Sequence, residues 1–468
     1  MKTKEVKGSK EKEASSDHLL SRTEATAYGK SLRNKAPRVS HADWHTPSSR
    51  ADPVHILMET SKGREAQLIP IRYGRMLQSP FAFYRGGAAI MAADLAKTPS
   101  TGVYVQSCGD CHLVNFGSFA TPERRIVFDI NDFDETSPAP WEWDVKRLAA
   151  SFVIAAMHNG IGVAKAKEVA IACVESYHEH TNEYAQMNPL EVWYSSISVD
   201  DVLQMAKSTE AKKRLSKQLE KAKSKSLAGE DYPKLTKIEN GVVSILDAPP
   251  LIYHRKDANA KKFTQQVEEA FQRYAENLGD EKSTLFNQYK FIDIATKVVG
   301  VGSVGRICGI SLRMTADNEP LFLQVKEAVT SVLEPYAGKS VYKNSGHRVV
   351  QGQKMMQAAS DIFLGWGTGT TGRHFYVRQL RDMKIKPLVE VFDDKTMMDY
   401  ASLCGWALAR AHARSGKSDI ISGYLGSSSK FADSLAEFGV AYAEQNEKDF
   451  TALKRAVGAG KLEAYFEQ

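Results

Sequence analysis

The sequence predicts an α+β fold of two lobes, one mostly helical and one built on a small antiparallel sheet. Long apolar stretches at helical spacing fill residues 145–186 and 395–459. Between them, residues 290–313 alternate β-branched residues with glycine, as short antiparallel strands do. Further strands are predicted over 321–328, 362–366 and 374–380, with one helix inserted at about 349–360. The predicted segments are a mobile N-terminal tail (1–50), a helical catalytic lobe (51–284), a β lobe (285–385) and C-terminal helices packed on the helical lobe (386–468).

The composition is that of an ordinary globular protein. Of 468 residues, 43% are hydrophobic and 25% charged, and the net charge of +6 gives little reason to expect nucleic acid as a partner. No uncharged apolar run reaches the roughly 18 residues of a membrane span, and no signal-peptide pattern opens the chain. Five cysteines without framework spacing favour a reducing compartment. We therefore expect a cytoplasmic protein with no membrane partner.

The first motif with recognisable chemistry is Gly109-Asp110-Cys111-His112-Leu113-Val114-Asn115, which follows a short apolar strand. A phosphoryl-transfer catalytic loop uses an aspartate to accept the attacking hydroxyl's proton and an asparagine five residues later to bind magnesium. Asp110 and Asn115 have this spacing. The pair alone is a weak signal, because such pairs also arise by chance.

A second strand, which begins at Ile126, runs into a cluster of acids. Asp129, Asp132 and Asp134 fall within six residues of one another. Asp-Phe-Asp resembles the Asp-Phe-Gly in which a kinase holds its metal-binding aspartate. Asp132 is therefore the leading metal ligand, with Asp129 and Asp134 in reserve. The preference of turns for acids explains one or two of the three.

Far downstream, Gly300-Val301-Gly302-Ser303-Val304-Gly305 has a spacing shared by dinucleotide sites and by kinase loops that cover phosphates. A dinucleotide site requires a helix after the glycines, but residues 306–314 alternate as a strand. The pattern favours a β-hairpin over phosphates. The phosphate-binding residues would be Gly300, Gly302, Ser303 and Gly305.

The next strand presents Lys326 in Leu-Gln-Val-Lys, which resembles the Val-Ala-Ile-Lys strand whose lysine binds the α- and β-phosphates. A kinase holds this lysine with a glutamate on the following helix. Here that helix offers only Gln351, Gln353 and Gln357. Either a glutamine or Glu327 supports Lys326, or the site is built differently. The alternative is a surface lysine on an edge strand.

Two more residues are candidates for the site. Asp144 follows Pro140-Trp141-Glu142-Trp143 and is placed as a helix N-cap whose carboxylate accepts backbone N–H bonds. Arg85 precedes a small-residue helix and could meet a phosphate, an acid of the site, or a structural ion partner.

Long motifs also resemble one bacterial family. They are Met76 to Gly86, Cys108 to Gly117, Phe128 to Glu135, Val299 to Tyr336 and Phe375 to Lys384. The family is the one known as domain of unknown function 2252, and the resemblance covers nearly everything after residue 50. It implies a protein-kinase-like fold. Aminoglycoside- and choline-kinase-like proteins have a Pro-x-x-x-Asp element similar to Pro140–Asp144, whose aspartate ties down the catalytic-loop backbone.

In ordinary kinases the glycine loop and lysine precede the catalytic loop, whereas here they follow it. We therefore expect a circularly permuted kinase-like fold, since chain order does not constrain a site assembled in space. Arg381-Asp382-Met383 would be the hinge whose backbone meets adenine. The predicted function is an ATP- and Mg²⁺-dependent phosphotransferase with an unknown small-molecule or protein acceptor.

Two alternatives remain open. One is a pseudokinase-like nucleotide-binding module without turnover, suggested by the missing helix glutamate. The other is a metal-dependent phosphohydrolase with two ions held by Asp110, His112 and Asp129. Zinc binding at Cys108-x-x-Cys111 is disfavoured, because no second pair stands at zinc spacing.

Overall fold

The computed structural model describes residues 20–205, 212–213, 216–217, 219–220, 235–256, 260–369, 371–380 and 383–467. These residues form a mixture of helices and antiparallel sheets, as the sequence predicts. The helices are α1 (Arg22–Ser31), α2 (Pro53–Ser61), α3 (Ile69–Met76), α4 (Pro80–Gly86), α5 (Ala88–Leu95), α6 (Trp141–His158), α7 (Val163–Gln186), α8 (Pro189–Tyr194), α9 (Val199–Met205), α10 (Ala260–Glu276), α11 (Asp280–Phe286), α12 (Glu334–Ala337), α13 (Ser345–Met356), α14 (Asp394–Ala413), α15 (Ser418–Leu425) and α16 (Lys430–Gly458).

Within the described residues, the strands form four antiparallel sheets. They are β1 (Tyr104–Ser107), β2 (Phe116–Ala120), β3 (Ile126–Ile130), β4 (Ser137–Pro140), β5 (Ile197–Ser198), β6 (Thr236–Glu239), β7 (Val242–Ile245), β8 (Ile252–Tyr253), β9 (Lys290–Lys297), β10 (Cys308–Met314), β11 (Pro320–Ala328), β12 (Gly365–Thr368) and β13 (His374–Gln379). The largest sheet has the order β12-β13-β11-β10-β9-β8. The others pair β1 with β4, β2 with β3 and β5, and β6 with β7.

Helix α6 lies at the centre of the largest apolar core. Every residue from Trp141 to Ala156 is buried, and the helix packs against α7, α14 and α16. A helix buried on all sides is expected to be apolar, yet α6 also buries Asp144 and Arg147. Buried charges of this kind need partners, and both side chains reach towards the loop that carries Asp110.

Both faces of the six-stranded sheet bury apolar residues, but only the face that carries Ile310 and Phe322 also carries Lys326. Leu323 and Val325 of β11 pack with α10 in one apolar cluster. Successive strand residues point to opposite faces, so Lys326 points away from that cluster. Lys326 is paired in register with Tyr376 of β13, and both side chains face the turn after β3. The alternation of the strand therefore fixes the direction of the lysine.

The prediction of a mobile tail over 1–50 is wrong for the part that the structure describes; residues 1–19 lie outside it. Helix α1 packs on α15, and Arg33 donates hydrogen bonds to the carbonyls of Tyr424 and Gly423 at 2.8 and 2.6 Å. Arg50 bridges Asp94 of α5 and Asp449 of α16. The polar composition misleads because this segment is held mainly by arginines that satisfy buried acids and helix carbonyls.

Two element boundaries differ from the prediction near the six-stranded sheet. Helix α13 starts at Ser345 rather than near 349, because the side chain of Asn344 caps it by accepting from the N–H of His347 at 3.0 Å. Strand β12 covers Gly365–Thr368 instead of 362–366. The chain leaving β13 returns to the helical core, where Ile385 pairs with Ser118 of β2.

All five cysteines are buried and free of disulfides. Among the described helices, none combines the length and apolarity that crossing a bilayer would take.

We predict that Arg50→Ala lowers the free energy of unfolding by about 3–5 kcal/mol, because it leaves Asp94 and Asp449 buried without a cation. Urea denaturation measures the change. Lys62→Ala removes an exposed pair with Glu59 and should cost less than about 1 kcal/mol. Equal effects of the two variants would show that the N-terminal segment is not anchored in this way.

Candidate active site

A cavity of about 600 Å³ brings the two distant motifs together. From the first half of the chain it is lined by Arg85, Asp110, His112, Asn115, Asp132 and Asp134. From the glycine motif it is lined by Gly300, Gly302 and Ser303. These are nine of the residues that the sequence singles out, and they come from segments that lie far apart in the chain.

Helix α6 holds the loop that carries Asp110 by accepting hydrogen bonds from the loop backbone. The carboxylate of Asp144 accepts hydrogen bonds from the N–H groups of Cys108 at 2.8 Å and Gly109 at 3.1 Å. Gly109 has φ 82°, and a Cβ there would overlap the carbonyl oxygen of Glu135. The predicted binding of backbone amides by Asp144 is therefore present.

The predicted N-cap role of Asp144 is wrong. The helix begins at Trp141, one turn before the expected start, with Pro140 at the cap position. Proline suits a helix start because its fixed φ is already near the helical value. Asp144 thus lies in the first turn and is free to hold a neighbouring loop.

Asp110 is oriented by Arg147, also on α6. Arg147 donates to Oδ1 of Asp110 from Nε at 2.8 Å and from Nη2. Burial raises the pKa of Asp110, and Arg147 opposes that shift. Nε2 of His112 lies 3.9 Å from Oδ2, and burial lowers the pKa of this histidine well below its usual range. Oδ2 therefore remains as the oxygen that can accept a proton from a group in the cavity.

Asn115 and Asp132 offer oxygen atoms of the kind that Mg²⁺ prefers. The side-chain N–H of Asn115 donates to the carbonyl of Asp110 at 2.8 Å, which directs its Oδ1 elsewhere. Oδ1 of Asp132 accepts the N–H of Asp134 at 3.1 Å, and its Oδ2 has no hydrogen bond within the described residues. Burial and the charge of Asp134 raise the pKa of Asp132. This donor set fits a magnesium ion, whose charge would compensate that carboxylate.

Asp134 is paired with Lys326. Both of its carboxylate oxygens already accept hydrogen bonds, so neither is free to bind a metal. Its Oδ2 accepts from Nζ of Lys326 at 2.6 Å and from Oγ of Ser303 at 3.0 Å. Its Oδ1 accepts from the hydroxyl of Tyr376 at 2.6 Å. Burial alone would raise the pKa of Asp134, but Lys326 and these hydrogen bonds lower it to about 2.

The expected supports of Lys326 are therefore replaced by an aspartate from the other half of the site. Glu327 instead pairs with Arg373 at 2.6 Å. The glutamines of α13 have other partners: Gln351 contacts His347, Gln353 donates to Gln357, and Gln357 donates to the carbonyl of Ile130. Lys326 itself is buried, so the surface-lysine alternative is wrong.

Asp129 is not part of the cavity, and its assignment as a reserve metal ligand is wrong. It is fully buried and accepts two hydrogen bonds of 2.9 Å from Arg410 of α14. Its oxygens also accept from the N–H groups of Ile130 and Ala358, both at 2.8 Å. Asp129 lies within β3, which ends at Ile130, whereas Asp132 and Asp134 lie in the turn beyond the strand.

The glycine motif forms the predicted hairpin loop between the antiparallel strands β9 and β10. Gly300 and Gly305 have φ 62° and 84°, which favour glycine. Arg75 donates to the carbonyl of Gly300 at 2.6 Å, and the N–H of Glu65 donates to that of Gly305 at 2.8 Å. Gly305 therefore shapes the loop without lining the cavity.

The predicted hinge is only partly described. Arg381 and Asp382 lie outside the described residues. Met383 is buried in a small apolar cluster with Ile126 and Leu219, and its side chain does not line the cavity.

Sequence reasoning missed Arg147, Tyr376 and Arg64. Arg147 is at the third position after Asp144 on one helix, so helical spacing after a Pro-x-x-x-Asp element was a usable signal. Tyr376 is opposite Lys326 only through strand pairing. Arg64 donates to the carbonyl of Gly302 at 2.8 Å and precedes any recognisable motif.

Cys108, Cys111 and Asp144 place their ligand atoms within 4.8 Å of one another. Burial raises the pKa of both thiols, to about 12 for Cys111. Both oxygens of the Asp144 carboxylate already accept hydrogen bonds from backbone N–H groups. The contacts of Asp144 in this cluster therefore support the loop.

The family model described as "Uncharacterized protein conserved in bacteria (DUF2252)" matches residues 64–456. The chain belongs to this family. The matched part of this DUF2252 protein contains every residue that the sequence singles out for the site. Searches of curated proteins and of solved structures gave no match.

We predict that Asp144→Ala in this DUF2252 protein costs about 3 kcal/mol of unfolding free energy, because two buried N–H groups lose their acceptor. Asp144→Asn, which keeps one acceptor oxygen, should cost less. Hydrogen exchange at Cys108 and Gly109 should accelerate in both variants. Asp419→Ala, at a 3.9 Å pair with Arg22 on the surface, is the control. Unchanged exchange at both amides would contradict the role given to Asp144.

Proposed function

We propose that this protein is an ATP- and magnesium-dependent phosphotransferase with a circularly permuted, two-lobe, kinase-like fold. The observation that carries the proposal is the shared cavity, in which Asp110, Asn115 and Asp132 face the glycine loop. In kinases a glycine loop covers the nucleotide phosphates, a lysine on the third strand binds them, and an aspartate and an asparagine hold magnesium. The glycine loop joins β9 to β10, and Lys326 is on the next strand, β11, which is the third strand when counting starts at β9.

Each residue then has a role in transfer. Oδ2 of Asp110 accepts the proton of the acceptor hydroxyl, while Arg147 fixes the carboxylate through Oδ1. Asn115 and Asp132 would hold the metal, which supplies positive charge to the phosphates. The N–H groups of the glycine loop would cover those phosphates, and Lys326 would bind them in place of Asp134. The carboxylate of Asp134 would then lose its cation partner and become available to the metal.

The buried hydrogen bonds from Asp144 to the catalytic loop also support a kinase-like site, because related phosphotransferases tie down that loop in the same way. They keep Asp110 in one place before any ligand arrives. Preorganised groups of this kind lower the cost of reaching the transition state.

One observation favours the second candidate, a nucleotide-binding module without turnover. Lys326 is paired with Asp134 at 2.6 Å rather than with a helix glutamate, so the lysine is already neutralised. Such a module would bind nucleotide and release no phosphate. The phosphohydrolase alternative has no comparable support, since Asp129 is held by Arg410 outside the cavity.

We predict that ATP with magnesium stabilises the wild-type protein by about 2.7 kcal/mol at a ligand concentration 100 times the dissociation constant. Asp132→Asn should retain its unliganded melting temperature and lose the magnesium-dependent part of this gain. Differential scanning fluorimetry with ATP, with and without magnesium, measures both. Asp433→Asn on the exposed side of α16 is the matched control.

A wild-type protein whose melting temperature is unchanged by ATP and magnesium would refute nucleotide binding altogether. Phosphate release or transfer from labelled ATP separates the two candidates that bind nucleotide. Release that disappears in Asp110→Asn supports the phosphotransferase, and binding without any release supports the module.

A further inference from the structure

Arg85 differs from Arg64 and Arg72, two other arginines that line the cavity. Arg64 donates hydrogen bonds to the carbonyls of Thr60 and Gly302, at 2.9 and 2.8 Å. Arg72 donates to the hydroxyl of Ser61 at 2.8 Å. Arg85 makes no ion pair with the described residues, and its buried Nε has no hydrogen-bond partner among them. The structural ion pair considered for Arg85 is therefore not found within the described part of the chain.

Arg85 lies between the base and the glycine loop. Burial lowers the pKa of Arg85, and the negative charge of Asp110 is the first of the charges that oppose this shift. The carbonyl oxygen of Arg85 lies 3.8 Å from the position of a Cβ built on Gly302. Its guanidinium carbon lies 6.0 Å from the ring centre of Phe81, so the other side of the group is apolar. Desolvated cations are costly unless a partner is supplied, and Arg85 lines the cavity.

Under the proposed function a phosphoryl group would cross this space during transfer. The nucleotide phosphates would lie under the glycine loop, and the acceptor oxygen would lie at Asp110. The bond from the γ-phosphorus to the β–γ bridging oxygen breaks while the bond to the acceptor oxygen forms. The acceptor's proton goes to Asp110, and the products are ADP and the phosphorylated acceptor. The three equatorial oxygens of the transferred group carry negative charge throughout.

We infer that the guanidinium of Arg85 donates hydrogen bonds to the equatorial oxygens of the phosphoryl group while it passes from ATP to the acceptor, an inference that rests on the proposed function. A guanidinium presents parallel N–H groups to such oxygens, which an ammonium cannot do. Arg85 is thus an arginine supplied within the same chain that stabilises charge in the transition state.

A mimic of the transferred group tests this without knowledge of the acceptor. The melting temperature of the full chain is measured with magnesium and ADP, and again after addition of aluminium fluoride, which occupies the position of the transferred phosphoryl group. The wild-type protein should gain further stability from the fluoride complex. Arg85→Ala should keep the shift with magnesium and ADP and lose the added gain, with an affinity for the fluoride complex lower by about 10³-fold.

Two further variants sharpen the result. Arg85→Lys keeps the charge without the paired N–H groups and should retain only part of the added gain; it also carries the comparison if Arg85→Ala does not fold. Arg306→Ala is the charge-matched control. Arg306 lines the same cavity, but the acids that interact with its charge are Glu327 and Glu135 rather than Asp110. The Arg306→Ala variant should keep the added gain.

Three outcomes would overturn the inference. In the first, Arg85→Ala retains the full gain from aluminium fluoride. In the second, Arg306→Ala loses as much as Arg85→Ala, which would indicate a general charge effect. Both leave the proposed function intact. In the third, the wild-type protein does not respond to magnesium and ADP or to magnesium and ATP, which refutes the proposed function and this inference together.

Discussion

The ion pair between Lys326 and Asp134 joins the two halves of the candidate site. Its atoms lie 2.6 Å apart, and the lysine is buried. A buried pair of this kind is stable only when other hydrogen bonds complete it. Tyr376 and Ser303 do so, and both come from the six-stranded sheet or its glycine loop. A single turn after β3 therefore holds the strand, the loop and the catalytic segment in one arrangement.

The same pair controls the charge left for a cation. Because Asp134 is neutralised by Lys326, Asp132 is the carboxylate of the turn that keeps a free oxygen facing the cavity. Burial and the neighbouring Asp134 raise the pKa of Asp132, so a further positive charge nearby would stabilise its ionised form. Under the proposed function, binding of magnesium and nucleotide would supply that charge and compete with Asp134 for Lys326. Nucleotide binding and the order of this turn are then coupled.

Helix α6 holds the segment that carries Asp110 in place. Asp144 holds the backbone before Asp110, and Arg147 holds the side chain of Asp110. Arg147 is itself fixed by the carbonyl of Tyr84 at 3.1 Å and by that tyrosine's ring. Buried polar networks whose members are all bonded are rigid, because any movement leaves a desolvated charge. Arg85 on α4, by contrast, is left without such a partner among the described residues.

The amino-acid sequence by itself determined the local part of this protein. The spacing of Asp110 and Asn115, the alternation after Gly305 and the apolar periodicity of α7 each depend on neighbours in the chain, and each matches the structure. Only the tertiary structure decided which cation each acid pairs with. Asp129 forms an ion pair with Arg410, and Asp134 forms one with Lys326; both partners lie far away in the chain. The reason is physical: a buried carboxylate takes its role from the nearest cation, and strand pairing and helix packing decide which cation is near.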